Sequence, residues 1–230
     1  MIEKKFHEVK AKIEESRKRR THVPQDEPVK LIAVTKNHDT AAMREAIAAG
    51  ATDVGENRIQ EAKEKFEALG RIVTWHLIGH LQTNKAKTAV QIFDLIHSVD
   101  TIHLARAIDR EAGKIGKVQD ILVQVNLAKE ESKSGVFQED LRPMLDEIDT
   151  MEHIRLCGLM CIAPHYEQAE DCRPLFREMY GIFQQVKEIP YRTANIKHLS
   201  MGMTNDYPIA VEEGSNMVRT GTAIFGPRQY

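Results

Sequence analysis

Long apolar runs and an excess of one charge are both missing from this sequence. No stretch approaches the roughly 20 apolar residues that span a bilayer, and residues 1–5 lack the apolar core of a secretory signal. The formal net charge is −2, which predicts no broad attraction to nucleic acid or to an anionic membrane surface. We therefore expect a cytoplasmic protein that binds neither partner.

Cysteine is scarce and odd in number, with three in the whole chain. Cys157 and Cys161 fall on one predicted strand, and a rise of about 3.3 Å per residue puts them roughly 13 Å apart. That distance is too long for a disulfide bond. We expect Cys157, Cys161 and Cys172 to be free thiols, as is usual in the cytosol.

Basic residues cluster only at positions 17–20, Arg-Lys-Arg-Arg. They follow Ile2, Phe6, Val9 and Ile13, whose spacing predicts an amphipathic helix. Cations in the last turn of a helix complement its dipole. The cluster is therefore interpreted as the end of an N-terminal helix and not as a nucleic-acid site.

Apolar β-rich segments alternate with helical patterns along the rest of the chain. Strands are predicted at residues 30–36, 52–57, 74–79, 95–99, 121–126, 154–161, 198–201 and 217–221. Helical spacing marks residues 40–49, 58–69, 101–112 and 166–187, and a glycine follows each of the first three segments. Asp206 is expected to cap one more helix, with Pro208 in its first turn.

Eight strands joined by helical connections favour parallel pairing. Eight such units are the number that closes a (β/α)8 TIM-type barrel, an α/β fold. An open doubly wound sheet is disfavoured because no glycine-rich turn follows the first strand. We expect one barrel domain over residues 1–230, with the N-terminal helix as an extra element that covers its bottom or side.

Lys36 ends the first predicted strand, which is an unusual place for a lysine. An ammonium group in an apolar pocket loses hydration, its pKa falls, and the amine becomes a nucleophile toward aldehydes. Ile32, Val34 and Lys36 share one strand face, so Lys36 points into the barrel mouth if that face lines the lumen. The alternative is a strand-end lysine that extends into solvent.

The carboxyl ends of the last two strands carry groups suited to an anion. Ser200 offers a hydroxyl, Gly221 lets a ligand approach its backbone, and Thr222 adds a hydroxyl and an N–H. Barrels frequently bind phosphate with the loops after strands seven and eight. The alternative is that Gly221 ends the strand and Thr222 caps the next segment. A lysine opposite a phosphate site suggests a phosphorylated aldehyde or ketone, either pyridoxal 5′-phosphate (PLP) or a sugar phosphate.

Arg219 bears on the choice between these two ligands. A guanidinium stays protonated, so a pyridine nitrogen in contact with it stays unprotonated and the ring becomes a weaker electron sink. A sugar-phosphate aldolase would leave Arg219 without a role. The alternative for Arg219 is a salt bridge with a neighbouring acid such as Glu56.

Several segments resemble one known family. They are Lys36 and residues 55–60, 76–85, 132–135, 158–160, 200–203 and 218–226. Together they resemble the YggS/PROSC family of PLP homeostasis proteins, which is similar to the barrel domain of bacterial alanine racemases. Departures are mild, since Thr35 stands where serine is common and Asn37-His38 follows the lysine.

The resemblance implies a cofactor-binding site. Its expected members are Lys36, Asn57, Ser200, Arg219, Gly221 and Thr222. The lysine would hold the PLP aldehyde as an internal aldimine, and the serine, glycine and threonine would hold the phosphate. The arginine would face the pyridine nitrogen, and the asparagine would lie near the ring.

Two functions of different class fit such a site. The first is a non-catalytic, monomeric carrier that contributes to vitamin B6 and amino-acid homeostasis and hands PLP to apo-enzymes. The second is a PLP-dependent amino-acid racemase or lyase. Racemisation needs an acid/base on each face of the α-carbon, and racemases take the second base from a separate domain. Because the sequence ends at Tyr230 and no pattern puts His80 or Tyr207 over the ring, the carrier is favoured.

Two further groups lie near the predicted site. The charged segment at residues 129–135 follows strand five and is either a mobile loop that helps load the cofactor or a solvated surface loop. His76 and His80 lie on either side of Gly79 without a carboxylate at metal-ligand spacing. We interpret them as site-lining or structural, and we expect no metal.

Overall fold

The structure is a computed structural model that describes residues 1–130 and 133–227. The sequence predictions on Ser132 and Tyr230 lie outside these residues. No helix in the described ranges combines the length and the apolar character that crossing a membrane requires.

Eight parallel strands form a closed barrel in which each strand pairs with its neighbours in sequence. They are β1 (Lys30–Val34), β2 (Asp53–Glu56), β3 (Thr74–Leu77), β4 (Leu95–Val99), β5 (Gln119–Val125), β6 (Ile154–Cys161), β7 (His198–Ser200) and β8 (Met217–Thr220). The first and last strands also pair, with Leu31 opposite Val218, which closes the barrel. The predicted (β/α)8 fold is confirmed.

Helices follow the strands and cover the outside of the barrel. They are α1 (Ile2–Lys18), α2 (Thr40–Ala48), α3 (Ile59–Leu69), α4 (Ala86–Ile92), α5 (Ile102–Lys114), α6 (Gln138–Ile148), α7 (Arg173–Lys187), α8 (Tyr207–Glu212) and α9 (Thr222–Phe225). Two short 3-10 turns, Thr83–Lys85 and Ala169–Cys172, precede α4 and α7.

The N-terminal helix α1 is the expected extra element. Its residues Phe6, Val9 and Ile13 are buried, and they pack into one apolar cluster with the Ala46 and Val218 side chains. The helix therefore covers the side of the barrel where β1 and β8 meet.

Arg20 departs from the expectation that residues 17–20 form the end of the N-terminal helix. Helix α1 ends at Lys18, and Arg20 is buried beyond it. Its guanidinium donates to the carbonyls of Val211 and Ser215 at 2.9 and 2.8 Å. The buried guanidinium thus ties the segment after α1 to the region around α8, because backbone carbonyls satisfy its donors.

Part of the barrel lumen is filled by a cluster of apolar side chains. This cluster consists of Ile32, Leu95, Leu122, Cys157, Met160 and Met217. The face of β1 that carries Ile32 therefore lines the lumen, as the expectation for Lys36 requires.

A bulge at Gly158 interrupts the alternation of β6. The register between β5 and β6 shifts there, and Gly158 has a φ of +147°. As a result Cys157 faces the lumen whereas Cys161 belongs to the cluster outside the barrel. Both cysteines lie on β6 as predicted, and they and Cys172 are free and buried.

Two helix boundaries differ from the predictions. Gly113 does not end its helix but lies inside α5, where a Cβ would meet the His153 ring at 2.9 Å. The helix predicted to start at Tyr166 starts at Arg173, after a 3-10 turn.

Asp206 occupies the N-cap position of α8 but does not cap it with its side chain. Its carboxylate instead accepts a hydrogen bond from the backbone N–H of Met203 at 2.6 Å. The carboxylate therefore closes the turn that leads into the helix. Pro208 lies in the first turn, as expected.

Candidate functional site

Lys36 lies in a tight turn at the carboxyl end of β1, which ends at Val34 and not at the lysine. The turn is closed by the N–H of His38, which donates to the Thr35 carbonyl at 3.0 Å. Asn37 has a φ of +62°, a left-handed conformation that few non-glycine residues adopt. The turn keeps Lys36 partly buried at the barrel mouth.

A buried ion pair between Lys65 and Glu56 contacts the turn that carries Lys36. Lys65 of α3 donates to the Thr35 carbonyl and to Glu56 Oε1, both at 2.7 Å. The Thr35 hydroxyl donates to the same Glu56 oxygen at 2.5 Å. The residue before Lys36 is therefore held at both its carbonyl and its side chain.

Glu56 is fully buried at the end of β2. Burial raises the pKa of its carboxyl, and the nearby Lys65 ammonium opposes that effect. Since a buried charge without its partner is costly, the ion pair depends on both members.

Asn57 directly follows β2 and packs closely on β3. A Cβ at Gly79 would overlap the Asn57 carbonyl oxygen, so glycine allows the two strand ends to approach. Asn57 Oδ1 is buried and has no hydrogen-bond partner among the described residues. Such an acceptor is uncommon in proteins and is available to a donor on a bound ligand.

Arg219 is buried inside the barrel, with 3% of its surface exposed. Its Nη1 donates to Ser200 Oγ at 2.5 Å and its Nη2 donates to the Cys161 carbonyl at 2.9 Å. Burial lowers the pKa of the guanidinium, although an arginine remains protonated in proteins. Within residues 1–130 and 133–227 no carboxylate pairs with Arg219, so the alternative of a Glu56 salt bridge is wrong.

The Ser200 hydroxyl is fully buried and belongs to the lumen. It contacts Arg219 and, at 2.9 Å, His97 Nδ1. Ser200 is in register with Met217, four residues before Gly221, which is roughly 13 Å along the strand. The structure thus brings the Ser200 hydroxyl to Arg219 and not to Gly221.

Gly221 and Thr222 lie where β8 passes into α9, next to the end of β1. A Cβ at Gly221 would meet the Val34 carbonyl oxygen at 3.1 Å. Gly221 is partly exposed and Thr222 is exposed. The His38 ring stacks on Phe225 of α9 with 4.6 Å between ring centroids, so the Lys36 turn and this segment are in direct contact.

The two side chains considered as a second base lie in different surroundings. Tyr207 is buried in the apolar cluster of α1, on the outside of the barrel. His80 is exposed after β3. Tyr207 therefore cannot reach a ligand at the barrel mouth without leaving its packed position.

The described part of the charged segment at residues 129–135 is held by two side-chain amides. Asn126 Nδ2 donates to the Glu130 and Lys133 carbonyls at 2.9 and 3.3 Å. Gln124 Nε2 donates to the Ser134 carbonyl at 3.1 Å. These bonds anchor the described part of the loop to the end of β5.

Two residues of this site were missed in the sequence. Lys65 lies beside the apolar stripe of α3, formed by Ala62 and Leu69, where a lysine has to find a buried partner. His97 lies in the fully buried strand β4. In both cases the available signal was a polar side chain in an otherwise apolar pattern.

Comparison with known proteins first identifies the class of domain that this chain resembles. A family profile described as alanine racemase, N-terminal domain, matches residues 10–229. An alanine racemase of Clostridium difficile 630 shares the fold, with a TM-score of 0.67 and 16% identity, over 89% of this chain and 54% of that one.

Proteins with higher sequence identity identify the family within this class. A pyridoxal phosphate homeostasis protein of Aquifex aeolicus (strain VF5) is 41% identical over 202 residues, which cover 87% of this chain and 88% of that protein. Structures of PipY of Synechococcus elongatus PCC7942 without PLP and with PLP bound are 38% identical, with TM-scores of 0.86 and 0.85. They cover 98% of this chain and 100% of PipY. The chain belongs to the family of pyridoxal phosphate homeostasis proteins.

Proposed function

We propose that this protein binds PLP at the barrel mouth, with Lys36 as the covalent attachment point. The observation that carries the proposal is the turn after β1, which holds Lys36 partly buried two residues after Val34, the residue that Gly221 approaches. Condensation joins the lysine nitrogen to the aldehyde carbon, and the aldehyde oxygen leaves as water with the two amine hydrogens. PipY, a relative whose structure has PLP bound, supports PLP as the ligand.

The other site residues have roles that follow from their surroundings. Gly221 and Thr222 bind the phosphate through backbone N–H groups and the threonine hydroxyl, since the first N–H groups of a helical turn lack internal partners. Arg219 faces the pyridine nitrogen. Asn57 borders the ring, and its partnerless buried oxygen fits a bound donor. Ser200, expected from the sequence to bind phosphate, acts instead on Arg219.

The surroundings of Tyr207, one candidate for a second base, favour a carrier over a racemase. Tyr207 packs against α1 and away from the mouth. A buried cation toward the ring nitrogen also weakens the electron sink that carbanion chemistry needs. We propose a cytoplasmic, monomeric carrier that contributes to vitamin B6 and amino-acid homeostasis and passes PLP to apo-enzymes.

The attachment point is tested by absorbance and peptide mapping. Purified protein loaded with PLP should absorb in the visible, and borohydride should remove that band and fix the pyridoxyl group on Lys36. The Lys36→Ala variant should fold but lose the band, whereas Lys133→Ala should keep it. A pyridoxyl group on Lys133 or Lys85 would overturn the assignment.

The phosphate site is tested by comparing two aldehydes. Pyridoxal should bind much more weakly than PLP, because each lost hydrogen bond to a charged group costs roughly 1.5–3 kcal/mol. Titration followed by visible absorbance measures both affinities. Equal affinities would rule out a phosphate site at Gly221 and Thr222.

A further inference from the structure

A continuous chain of buried polar groups runs through the barrel lumen beneath the mouth. Arg219 Nη1 contacts Ser200 Oγ at 2.5 Å, and Ser200 Oγ contacts His97 Nδ1 at 2.9 Å. His97 Nε2 contacts His76 Nδ1 at 2.9 Å, and His76 Nε2 contacts Asp53 Oδ1 at 2.8 Å. Each of these five side chains is at most 3% exposed.

The two ends of this lumen chain set its direction. The guanidinium of Arg219 can only donate hydrogen bonds. Asp53 only accepts when ionised: burial alone would raise its pKa, but hydrogen bonds from His76, Lys30 and Thr52 lower it to about 2. Lys30 Nζ and the Thr52 hydroxyl donate to it at 2.8 and 2.7 Å. The chain therefore has a donor at the mouth and an acceptor at the start of β2.

Only one arrangement of hydrogens satisfies every bond between these ends with one hydrogen on each imidazole. Ser200 accepts from Arg219 and donates to His97 Nδ1. His97 then carries its hydrogen on Nε2 and donates to His76 Nδ1, and His76 donates from Nε2 to Asp53. The opposite tautomer of His97 would leave the serine hydrogen without an acceptor and set two acceptor nitrogens face to face.

The surroundings of His97 keep it neutral. Burial, the His76 ring and the Arg219 guanidinium, in that order, hold its pKa well below the ordinary value. The remaining charged or titratable group that acts on it is His198 of β7, whose own pKa is lowered to about 4.

We propose that His97 and His76 are positioning residues for Arg219: they fix the direction of the Ser200 hydroxyl, which in turn fixes the guanidinium toward the pyridine ring of PLP. The part of this inference that concerns the ring rests on the proposed function. The part that concerns the hydrogen-bond direction holds for the cofactor-free protein.

NMR of the imidazole nitrogens tests the direction of the hydrogen bonds between Arg219 and Asp53, and it needs no cofactor. Long-range nitrogen–proton correlation spectra of the cofactor-free protein at neutral pH should show both His97 and His76 as Nε2–H tautomers. The His198 resonances serve as an internal comparison outside the lumen chain. A His97 with its hydrogen on Nδ1, or an averaged mixture of tautomers, would overturn the proposal whether or not PLP binds.

The effect on the site is tested with three variants and PLP titration. His97→Phe fills the same space but offers no acceptor to the Ser200 hydroxyl. We expect PLP to bind about tenfold more weakly, because the hydroxyl then no longer fixes the direction of the Arg219 guanidinium. His97→Gln keeps one acceptor and one donor and should recover most of the affinity. His198→Phe, at a histidine outside the lumen chain, should bind as the wild type does.

A spectroscopic measurement separates positioning from a general loss of packing. A cation at the ring lowers the pH at which a protonated Schiff base loses its proton. In His97→Phe the visible band should therefore persist to higher pH than in the wild type, and in His97→Gln it should not. Wild-type protein that fails to bind PLP would refute the proposed function. Wild-type binding with an unchanged pH profile in His97→Phe would refute the positioning role alone.

Discussion

At the residue scale, the candidate site depends on buried charged side chains that hold the turn carrying Lys36. These side chains do not themselves line the barrel mouth. Lys65 contacts the Thr35 carbonyl, the Glu56 carboxylate and, at 2.7 Å, Glu61. Its side chain is only 7% exposed and Glu56 is fully buried. One ammonium group thus joins α3, β2 and the residue that precedes the lysine.

Replacing Lys65 with methionine tests this support. We expect Lys65→Met to destabilise the protein by about 3 kcal/mol, because it leaves the Glu56 charge buried without its partner. PLP affinity should also fall, since the Lys36 turn loses a bond at Thr35. Urea unfolding and PLP titration measure the two effects.

Lys63 offers a matched control on the same helix. It is exposed and pairs with Glu67 at 3.8 Å, so Lys63→Met should cost less than about 1 kcal/mol. The double variant Lys65→Met with Glu56→Gln should regain part of the lost stability. Equal losses in the two single lysine variants would contradict a structural role for the buried pair.

At the element scale, the bulge in β6 decides what the lumen contains. Gly158 adopts a φ of +147°, and a Cβ there would overlap the His198 carbonyl oxygen of β7. The shifted register turns Cys161 outward, and the Cys161 carbonyl accepts a hydrogen bond from Arg219. A single backbone irregularity therefore helps to orient the cation beneath the mouth.

We expect Gly158→Ala to destabilise the protein by about 3 kcal/mol, from the backbone strain and the overlap together. It should also weaken PLP binding, because Arg219 loses its carbonyl partner. Gly181→Ala is the control: Gly181 lies in α7, and beyond the helix's own backbone no atom of the described residues comes within 4 Å of the place that an alanine methyl would take. Alanine there should stabilise the protein by up to about 1 kcal/mol. A Gly158→Ala protein as stable as the wild type would contradict this prediction, because the bulge would then accommodate a methyl group without strain.

At the scale of the whole molecule, two histidines with lowered pKa values, His97 and His198, make stability depend on pH. Burial first, then Lys197 and Lys30, lower the pKa of His198 to about 4 from an ordinary value near 6.5. The unfolded chain therefore binds more protons between these values, and stability falls as pH decreases from about 6.5 toward 4. His97 acts in the same direction.

Thermal unfolding over this pH range measures the effect. The Tm of the wild type should fall between pH 6.5 and 4, and His198→Asn should show a smaller fall because one of the two histidines with a lowered pKa is gone. If both proteins gave the same slope, His198 would not contribute to the pH dependence.

The distinction between carrier and racemase also belongs to the whole molecule. The PLP-loaded protein should not exchange the α-proton of free amino acids with heavy water at an enzymatic rate, because Tyr207, one candidate for a second base, packs on the outside of the barrel. Proton NMR with a panel of amino acids measures the exchange. Turnover on the order of 1 s⁻¹ or more that disappears in Lys36→Ala would contradict the carrier.

The fold class, the eight strands and the position of Lys36, Gly221 and Thr222 at the barrel mouth could all be predicted from the sequence. This was possible because alternation of strands and helices is a local pattern, and parallel strands of a barrel put their carboxyl ends at one mouth. Lys36 was recognisable because a lysine ending an apolar strand conflicts with its surroundings.

How Ser200, Arg219 and His97 are joined could be learned only from the folded chain. They lie on three different strands, β7, β8 and β4, and Ser200 and His97 are separated by 103 residues. Their contact depends on the stagger of the strands and on the bulge at Gly158, which shift side chains between the lumen and the outer face. A period-of-two pattern cannot report such shifts, because one inserted residue reverses every later side chain of a strand.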